Sequence, residues 1–165
     1  MSPKSEKMCE EYHKVCDVLD KLTLDALTLM EEEIQLKLYI ENAMCGGESH
    51  LAKSRYILGQ NSVSSLQLPS EEVDINAMAK VVPNEDQKYL KSHGVELAVA
   101  KCDENIQNPL KWFGLLVPQN LHYAQKMFTQ ALQWVVQAAN VQWKLNETCV
   151  KIEQLKEYKN QIKAK

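Results

Sequence analysis

Apolar residues recur at every seventh position along the first quarter of the chain, and a second apolar set fills the alternate positions. Glu33 is the one charged residue that interrupts this pattern. An apolar seam lasting five consecutive heptads is typical of a coiled-coil helix. It predicts a long helix over residues 4–45, ended by Gly46-Gly47 with Gly46 as a left-handed C-cap. The apolar seam residues are Met8, Tyr12, Val15, Leu19, Leu22, Ala26, Leu29, Leu36, Ile40 and Ala43.

A second helical pattern follows Pro118 and predicts a long helix over residues 119–160, because proline is well tolerated where a helix begins. Its apolar stripe drifts from one seam to a neighbouring one, as a helix of about 3.6 residues per turn does against a repeat of about 3.5. Trp134 and Trp143 are interpreted as core residues facing the first helix. The two seams comprise Leu121, Ala124, Met127, Phe128, Ala131, Trp134, Val135, Ala138, Val141, Gln142, Leu145, Thr148, Ile152, Leu155 and Ile162.

The region between the two long helices divides into three parts. Residues 48–58 have the pattern of a short helix, which Gly59 would end. Residues 67–107 are polar and acidic, contain glycine and proline, and are expected to form a mobile linker. Residues 108–118 are the most concentrated apolar segment outside the helices. Two apolar runs within the linker could pair as a small hairpin, namely 78–82 and 95–100.

Glycine and proline are scarce, since the chain of 165 residues contains only five of each. Neither occurs from Lys4 to Cys45 or from Gln119 to Lys165. Their absence argues against an all-β or βαβ fold, because these residues punctuate such folds. The sequence predicts an all-α fold with a single elongated domain over residues 1–165. In it, the two long helices form an antiparallel coiled-coil hairpin, joined by the short helix and an irregular, partly flexible middle.

The distribution of charge favours this hairpin. Residues 1–46 carry 5 Lys and 10 Asp or Glu, whereas residues 144–165 carry 6 Lys and 3 Glu. A hairpin would place the acidic helix beside the basic tail, although attraction between exposed charges is weak and screened by salt. Pairing of either helix with another chain is the alternative, because one seam does not reveal its partner. The net charge of −3 gives no reason to expect a nucleic-acid ligand.

No residue pattern in the sequence indicates catalysis, a cofactor or a bound metal. The four histidines lack the spacing of a metal site, and neither a phosphate-binding glycine loop nor a nucleophile motif is present. The five cysteines are scattered without a C-x-x-C pair, which is typical of reduced structural thiols in the cytosol. Without a run of about 18 apolar residues or an apolar leader, neither a transmembrane span nor a signal peptide is expected.

The apolar segment 108–118 has two interpretations. In the first, Trp112, Phe113 and their apolar neighbours plug the open end of the hairpin and set the entry angle of the last helix. In the second, the aromatic side chains anchor another protein, since aromatic residues often dominate protein interfaces. The stretch Leu51–Tyr56 is likewise either a surface helix that covers this junction or part of a partner surface.

The same two segments carry a resemblance to a known family. L-A-K-S-R-Y-x-x-G runs from Leu51 to Gly59, and P-L-K-W-F-G-L-L-V-P runs from Pro109 to Pro118. Together they resemble the vacuolar ATPase assembly factor family, whose pattern places the first motif after the first helix and the second before the last helix. The resemblance covers both ends of the chain and fails across about residues 69–107.

The resemblance implies a non-enzymatic assembly chaperone for the membrane sector of the vacuolar proton pump, and so a role in lysosomal acidification. Such a protein would act as a peripheral membrane protein at the cytosolic face of the endoplasmic reticulum and of ER–Golgi intermediate membranes, and at endosomes or lysosomes. It would form a complex with a membrane-anchored assembly factor similar to transmembrane protein 199 and engage the pump's large a subunit. Its membrane association would be indirect, through that partner, with no cofactor and no nucleic acid.

A junction for partner binding is therefore predicted where the two motifs meet. Its residues are Leu51, Lys53, Arg55, Tyr56, Gly59, Trp112, Phe113, Gly114, Leu116, Val117 and Pro118. Two other classes of protein share the predicted plan of helix, irregular middle and helix. One is a prefoldin-type chaperone subunit, which grips unfolded clients within a hexamer; the other is a coiled-coil tethering or scaffold protein.

Overall fold

The computed structural model of the chain describes residues 3–69, 75–84, 94–100 and 107–163. The chain is mostly helical, with two long helices and a small two-stranded sheet. Within the described residues, two short 3-10 helices, η1 and η2, accompany them. In chain order the elements are α1 (Pro3–Leu58), η1 (Ser65–Gln67), β1 (Ala79–Pro83), β2 (Val95–Val99), η2 (Pro109–Phe113) and α2 (Gln119–Lys163).

The prediction that Gly46 ends the first helix is wrong. Helix α1 continues through both glycines to Leu58, so the predicted short helix over residues 48–58 is its last part. A glycine inside a helix costs only about 0.5–1 kcal/mol, which packing can offset. The buried stripe supplies that packing, because it passes from Ala43 through Gly47 to Ser54 without a break. The helix ends instead at Gly59, whose φ of +87° is the left-handed conformation of a C-cap glycine.

The predicted seam of α1 is confirmed as its buried face. Every seam residue from Tyr12 to Ala43, including Glu33, is buried or half-buried, and nearly all residues between them are exposed. The period of the apolar residues was therefore sufficient to orient this helix.

Helix α2 follows the second of its two predicted seams. Met127, Ala131 and their heptad successors as far as Ile162 are buried or half-buried, whereas Val135 and Gln142 of the first seam are exposed. Trp134 is half-buried and stacks on Tyr39, with ring centroids 5.3 Å apart. The prediction that Trp143 is a core residue is wrong, because its side chain is exposed. It lies two residues beyond the seam residue Val141, on the opposite side of the helix.

The strands β1 and β2 confirm the predicted hairpin and correct the all-α fold class. They pair antiparallel, with a register that runs from Ala79 opposite Val99 to Pro83 opposite Val95. Valines at these positions explain why this part of the expected linker is extended, since β-branched residues favour strands. The rest of that linker falls partly on residues 70–74, 85–93 and 101–106, which lie outside the described residues, and its mobility stays a prediction.

The chain divides into two compact units. The first unit consists of residues 1–35 and 139–165. In it the Tyr158 hydroxyl donates a 2.6 Å hydrogen bond to Glu11 Oε1, which raises the pKa of the phenol. Lys159 Nζ lies 5.3 Å from the centre of the Tyr12 ring. The acidic first helix and the basic tail are thus in contact, as their charges predicted.

The second unit consists of residues 36–138. Its helix segments run in opposite directions, because Tyr39, Gly47 and His50 of α1 lie against progressively earlier residues of α2. All of the predicted junction residues belong to this unit. Within the described part of the chain, no helix is both long and apolar enough to cross a membrane.

Candidate functional site

A small apolar core holds the predicted junction together. Val63, Leu110 and Leu121 are buried at its centre, so it joins the chain after α1, the helix η2 and the first turn of α2. Around them pack four half-buried residues, and we call the whole set the junction core. The four are Leu51, Leu58, Phe113 and Val117.

Asn108 fixes η2 against α2. Its side-chain oxygen accepts hydrogen bonds from the backbone N–H of Leu110, at 3.0 Å, and from Gln125 Nε2, at 2.8 Å. Pro109 follows at the first position of η2, where a missing N–H costs nothing. One amide side chain therefore caps the short helix and links it to the long one.

The turn from η2 into α2 exposes two consecutive leucines. Gly114 adopts φ +115° and ψ −179°, a conformation that is accessible almost only to glycine. Phe113 and Val117, on either side of the turn, pack into the junction core. Between them, Leu115 and Leu116 are 103 % and 93 % exposed. The plug interpretation thus describes Phe113 and Val117, whereas Leu115 and Leu116 touch almost nothing of their own chain.

The end of α1 presents a mixed surface beside this turn. Leu51 packs on the junction core, but Lys53 and Arg55 are exposed. Tyr56 is 91 % exposed and Ile57 is 61 % exposed. Lys53, Tyr56 and Ile57 line one surface depression with Asn120, three residues beyond Val117. The end of α1 and the start of α2 therefore contribute to the same surface.

Contacts between α1 and α2 position these two helix ends. His50 Nδ1 and Asn120 Oδ1 lie 3.2 Å apart, and the His50 ring lies 5.3 Å from that of Tyr123. One turn later, Ser54 is completely buried, and its hydroxyl donates a 2.9 Å hydrogen bond to the carbonyl of His50. The small serine satisfies its own polar group, so the helix ends can approach closely.

An apolar cavity of about 330 Å³ opens between the sheet and α2. Its wall includes Ala79 and Val99 of the sheet, Phe113 of η2, and Phe128 and Leu132 of α2. Its polar neighbours Gln125 and Thr129 are engaged elsewhere: Gln125 bonds Asn108, and the Thr129 hydroxyl bonds the Gln125 carbonyl. The cavity therefore suits an apolar group, such as a side chain of another protein.

The electrostatic character of the junction is cationic. No Asp or Glu occurs from Ser49 to Ser70 or from Asn105 to Asn146. Lys53, Arg55 and Lys111 are exposed and form no ion pair with any described residue. In residues 3–69, 75–84, 94–100 and 107–163, no group of three acidic, His or Cys side chains could hold a metal ion.

Comparison with curated proteins gives one consistent result, although no family model matches the chain. A protein of Bos taurus named "Vacuolar ATPase assembly protein VMA22" is 27 % identical over 157 residues, covering 79 % of this chain and 86 % of that protein. The Homo sapiens protein of the same name is 28 % identical over 146 residues, covering 75 % of this chain and 81 % of its own.

The chain is similar over three quarters or more of its length to proteins named for vacuolar ATPase assembly, and this similarity supports the vacuolar ATPase assembly factor family. A shorter match supports the same family, because a Danio rerio protein of that name is 53 % identical over 36 residues, or 22 % of this chain. The comparisons therefore support the family that the resemblance indicated.

The two predicted motifs meet at the junction core, but the sequence did not predict several residues of this surface. Ile57 was not singled out, and Leu115 was assigned to the plug, although both are exposed. Their exposure depends on which neighbours pack inward, and no local pattern records that. Asn108 did have a signal, since Asn before Pro is a frequent start of a helical turn. The His50–Asn120 contact had none, because the two residues are 70 apart in the chain.

Proposed function

We propose that this chain is a non-enzymatic assembly factor for the membrane sector of the vacuolar proton-pumping ATPase. It acts at the cytosolic face of the endoplasmic reticulum, in complex with a membrane-anchored factor similar to transmembrane protein 199, and engages the pump's a subunit. The observation that carries the proposal is the similarity to proteins named for vacuolar ATPase assembly over three quarters or more of the chain. The charge pattern and the absence of a catalytic motif in the sequence support a binding role.

The two long helices, in this proposal, form an antiparallel coiled coil. Support comes from the heptad spacing of the buried residues and from the opposite directions of the two helix segments in the second unit. The contact of Tyr158 with Glu11 in the first unit fits the same pairing.

The partner docks, in this proposal, at the cavity side of the junction. An apolar side chain of the partner enters the cavity beside Phe113. Arg55, which lines a second depression with Phe113, and Trp112, the neighbour of Phe113 in the chain, also contact the partner. The half-buried position of Trp112 and the exposure of Arg55 support this arrangement, because aromatic and Arg side chains often dominate protein interfaces. The remaining predicted junction residues hold these groups in place or extend the surface.

The test is the substitution of Trp112 and Phe113 by alanine in cells that lack the endogenous protein. We expect loss of the membrane-anchored partner from the purified complex and a higher lysosomal pH, because the aromatic anchors are removed. Partner recovery and acidification equal to wild type would contradict the proposal. Phe113 also packs in the junction core, so a second variant is needed that leaves the core intact.

Leu132→Glu provides that variant, because Leu132 lines the cavity and remains 45 % exposed. A carboxylate there opposes entry of an apolar group without disturbing buried residues. The matched control is Leu38→Glu, since Leu38 is equally exposed on a helix but does not line the cavity. We expect L132E to lose the partner and L38E to retain it; equal binding by both would place the interface elsewhere.

The two-stranded sheet between two long helices also fits a prefoldin-type chaperone subunit. Such a subunit works in a defined assembly of six chains. Light scattering of the complex purified from cells distinguishes the two functions: a six-chain assembly would favour prefoldin, and a smaller complex with a membrane-anchored protein would favour the pump assembly factor.

A further inference from the structure

The turn at Leu115–Leu116 has a combination of properties that the assembly role does not explain. Both leucines are almost fully exposed. Contact of adjacent large apolar side chains with water is unfavourable, and exposed apolar patches commonly mark interaction sites. The neighbouring residues keep Leu115 and Leu116 in solvent. Phe113 and Val117 are anchored in the junction core, and Gly114 between them adopts a conformation restricted to glycine. The exposure is thus a consequence of the local fold.

The surroundings of this turn combine cations with amphipathic aromatic residues. Lys111 precedes it by one turn of η2, since the Gly114 N–H bonds the Lys111 carbonyl. Lys53 and Ile57 of α1 share a depression with Asn120 of α2, which lies four residues beyond Leu116 in the chain. Tyr56 and Trp112 lie next to these residues in the chain. We call Lys53, Ile57, Lys111, Leu115 and Leu116 the leucine-turn surface.

We propose that the leucine-turn surface binds directly to an anionic lipid bilayer. Leu115 and Leu116 enter the boundary between head groups and acyl chains, and the cations contact the lipid phosphates and carboxylates. Apolar residues flanked by Lys or Arg, with Trp or Tyr at the same level, are typical of segments that lie at a membrane interface. The chain would then bind membranes itself, in addition to any attachment through a partner.

The charge pattern favours lipid over a protein occupant. The absence of acidic residues from Ser49 to Ser70 and from Asn105 to Asn146 leaves the cations unopposed in sequence, as an anionic surface requires. A protein partner is better accommodated by the concave apolar cavity beside Phe113. The side chains of Leu115 and Leu116 contact almost nothing of the chain. They therefore suit a fluid bilayer, whose lipids rearrange around them, better than a protein surface of fixed shape.

The test is flotation of the purified full-length chain with vesicles of phosphatidylcholine, with and without phosphatidylserine. We expect flotation only with the phosphatidylserine vesicles, decreasing as salt is raised. The variant L115S/L116S should lower the partition coefficient by at least about tenfold, because both apolar anchors are lost. The variant K53Q/K111Q should lower it by roughly fivefold per charge removed.

The matched control is L24S/L27S, because Leu24 and Leu27 are exposed at 65 % and 57 % in an acidic stretch of α1. This control should float as wild type does. All three variants change exposed residues, and circular dichroism would check that their helix content is unchanged.

The proposal is overturned if wild type does not float with phosphatidylserine vesicles, or if L115S/L116S floats equally well. It is also overturned if L115S/L116S loses a protein partner while its vesicle binding is unchanged, since the surface would then be a protein interface. The proposed assembly function is tested separately, by partner recovery and lysosomal pH with L132E. A negative result with L132E would contradict the proposed assembly function without changing the result expected for vesicle binding by the purified chain.

Discussion

Glycine has two different structural roles in this chain. At Gly59 and Gly114 the backbone has positive φ, which other residues adopt only with strain. Gly47 has ordinary helical geometry, but it is buried where α1 meets the Phe128 ring. A β-carbon added there would lie 2.6 Å from Phe128 Cε1. The first role concerns the path of the chain, whereas the second concerns the space between two helices.

Substitution of the adjacent glycines by alanine should have opposite effects. Gly46→Ala should stabilise the protein by about 0.5–1 kcal/mol, because alanine favours helix and its β-carbon would make ordinary contacts with Met127 at 3.6–3.7 Å. Gly47→Ala should destabilise it by about 1–3 kcal/mol, because Phe128 must move. Urea unfolding followed by circular dichroism measures both.

Phe128→Leu provides the control for this pair. Combined with Gly47→Ala, it should recover part of the lost free energy of unfolding, since a smaller side chain leaves room for the new methyl group. Equal stabilisation by both alanines would show that α1 and α2 are not in close contact at Gly47.

The hydrogen bond from Tyr158 to Glu11 should make stability depend on pH in the alkaline range. It raises the phenol's pKa in the folded state above its ordinary value of 10.0, mainly through the bond itself and then through the carboxylate charge. The folded protein therefore holds this proton more tightly than the unfolded chain does. The stabilisation is present below pH 10.0 and is lost as the pH rises through the raised pKa.

Tyr158→Phe measures this contribution. The difference in unfolding free energy between wild type and Y158F should be constant from neutral pH to about pH 10 and should shrink above it. Tyr56→Phe is the control, since Tyr56 is almost fully exposed, and its stability difference should be small throughout. A Y158F difference that grows above pH 10 would contradict the assignment.

At the scale of elements, η2 is the part of the junction that depends most on a single side chain. Asn108 both caps η2 and bonds Gln125 of α2. With five residues, η2 has little stability of its own, so this link decides how it is held. The positions of Trp112, Leu115 and Leu116 depend on how η2 is held.

Asn108→Ala should therefore destabilise the junction by about 1–2 kcal/mol, because a cap and a side-chain bond are lost together. Asn108→Asp keeps an acceptor oxygen in the same place and should retain most of the stability. Hydrogen exchange at the Leu110 amide should quicken in N108A and remain close to wild type in N108D. Unchanged exchange in N108A would mean that the cap does not hold η2.

At the scale of the whole molecule, the candidate functions are concentrated in the second unit. Residues 36–138 contain the junction core, the cavity and the leucine turn. The first unit, residues 1–35 with 139–165, consists of two paired helix segments. The segment of α1 is rich in acidic residues, and the segment of α2 ends in a basic tail. The proposed partner and lipid experiments therefore both use substitutions within residues 36–138, apart from the L24S/L27S control.

The sequence by itself determined which face of α1 is buried and limited the buried face of α2 to two neighbouring seams. The cap at Gly59 and the paired strands were also predictable. These features arise from local turn chemistry, from the strand preference of β-branched residues, or from a periodicity that a single helix imposes on its own side chains. The two junction motifs also carried the resemblance to the assembly factor family.

Only the tertiary structure decided what lies opposite each residue. Gly46-Gly47 resembles a helix end locally, yet packing against Phe128 keeps it helical. Trp143 and Leu115 are as apolar as Trp134 and Leu110, but the first two are exposed and the second two are not. The reason is physical: hydrophobicity drives a side chain towards any apolar neighbour, and the fold determines whether a neighbour is there.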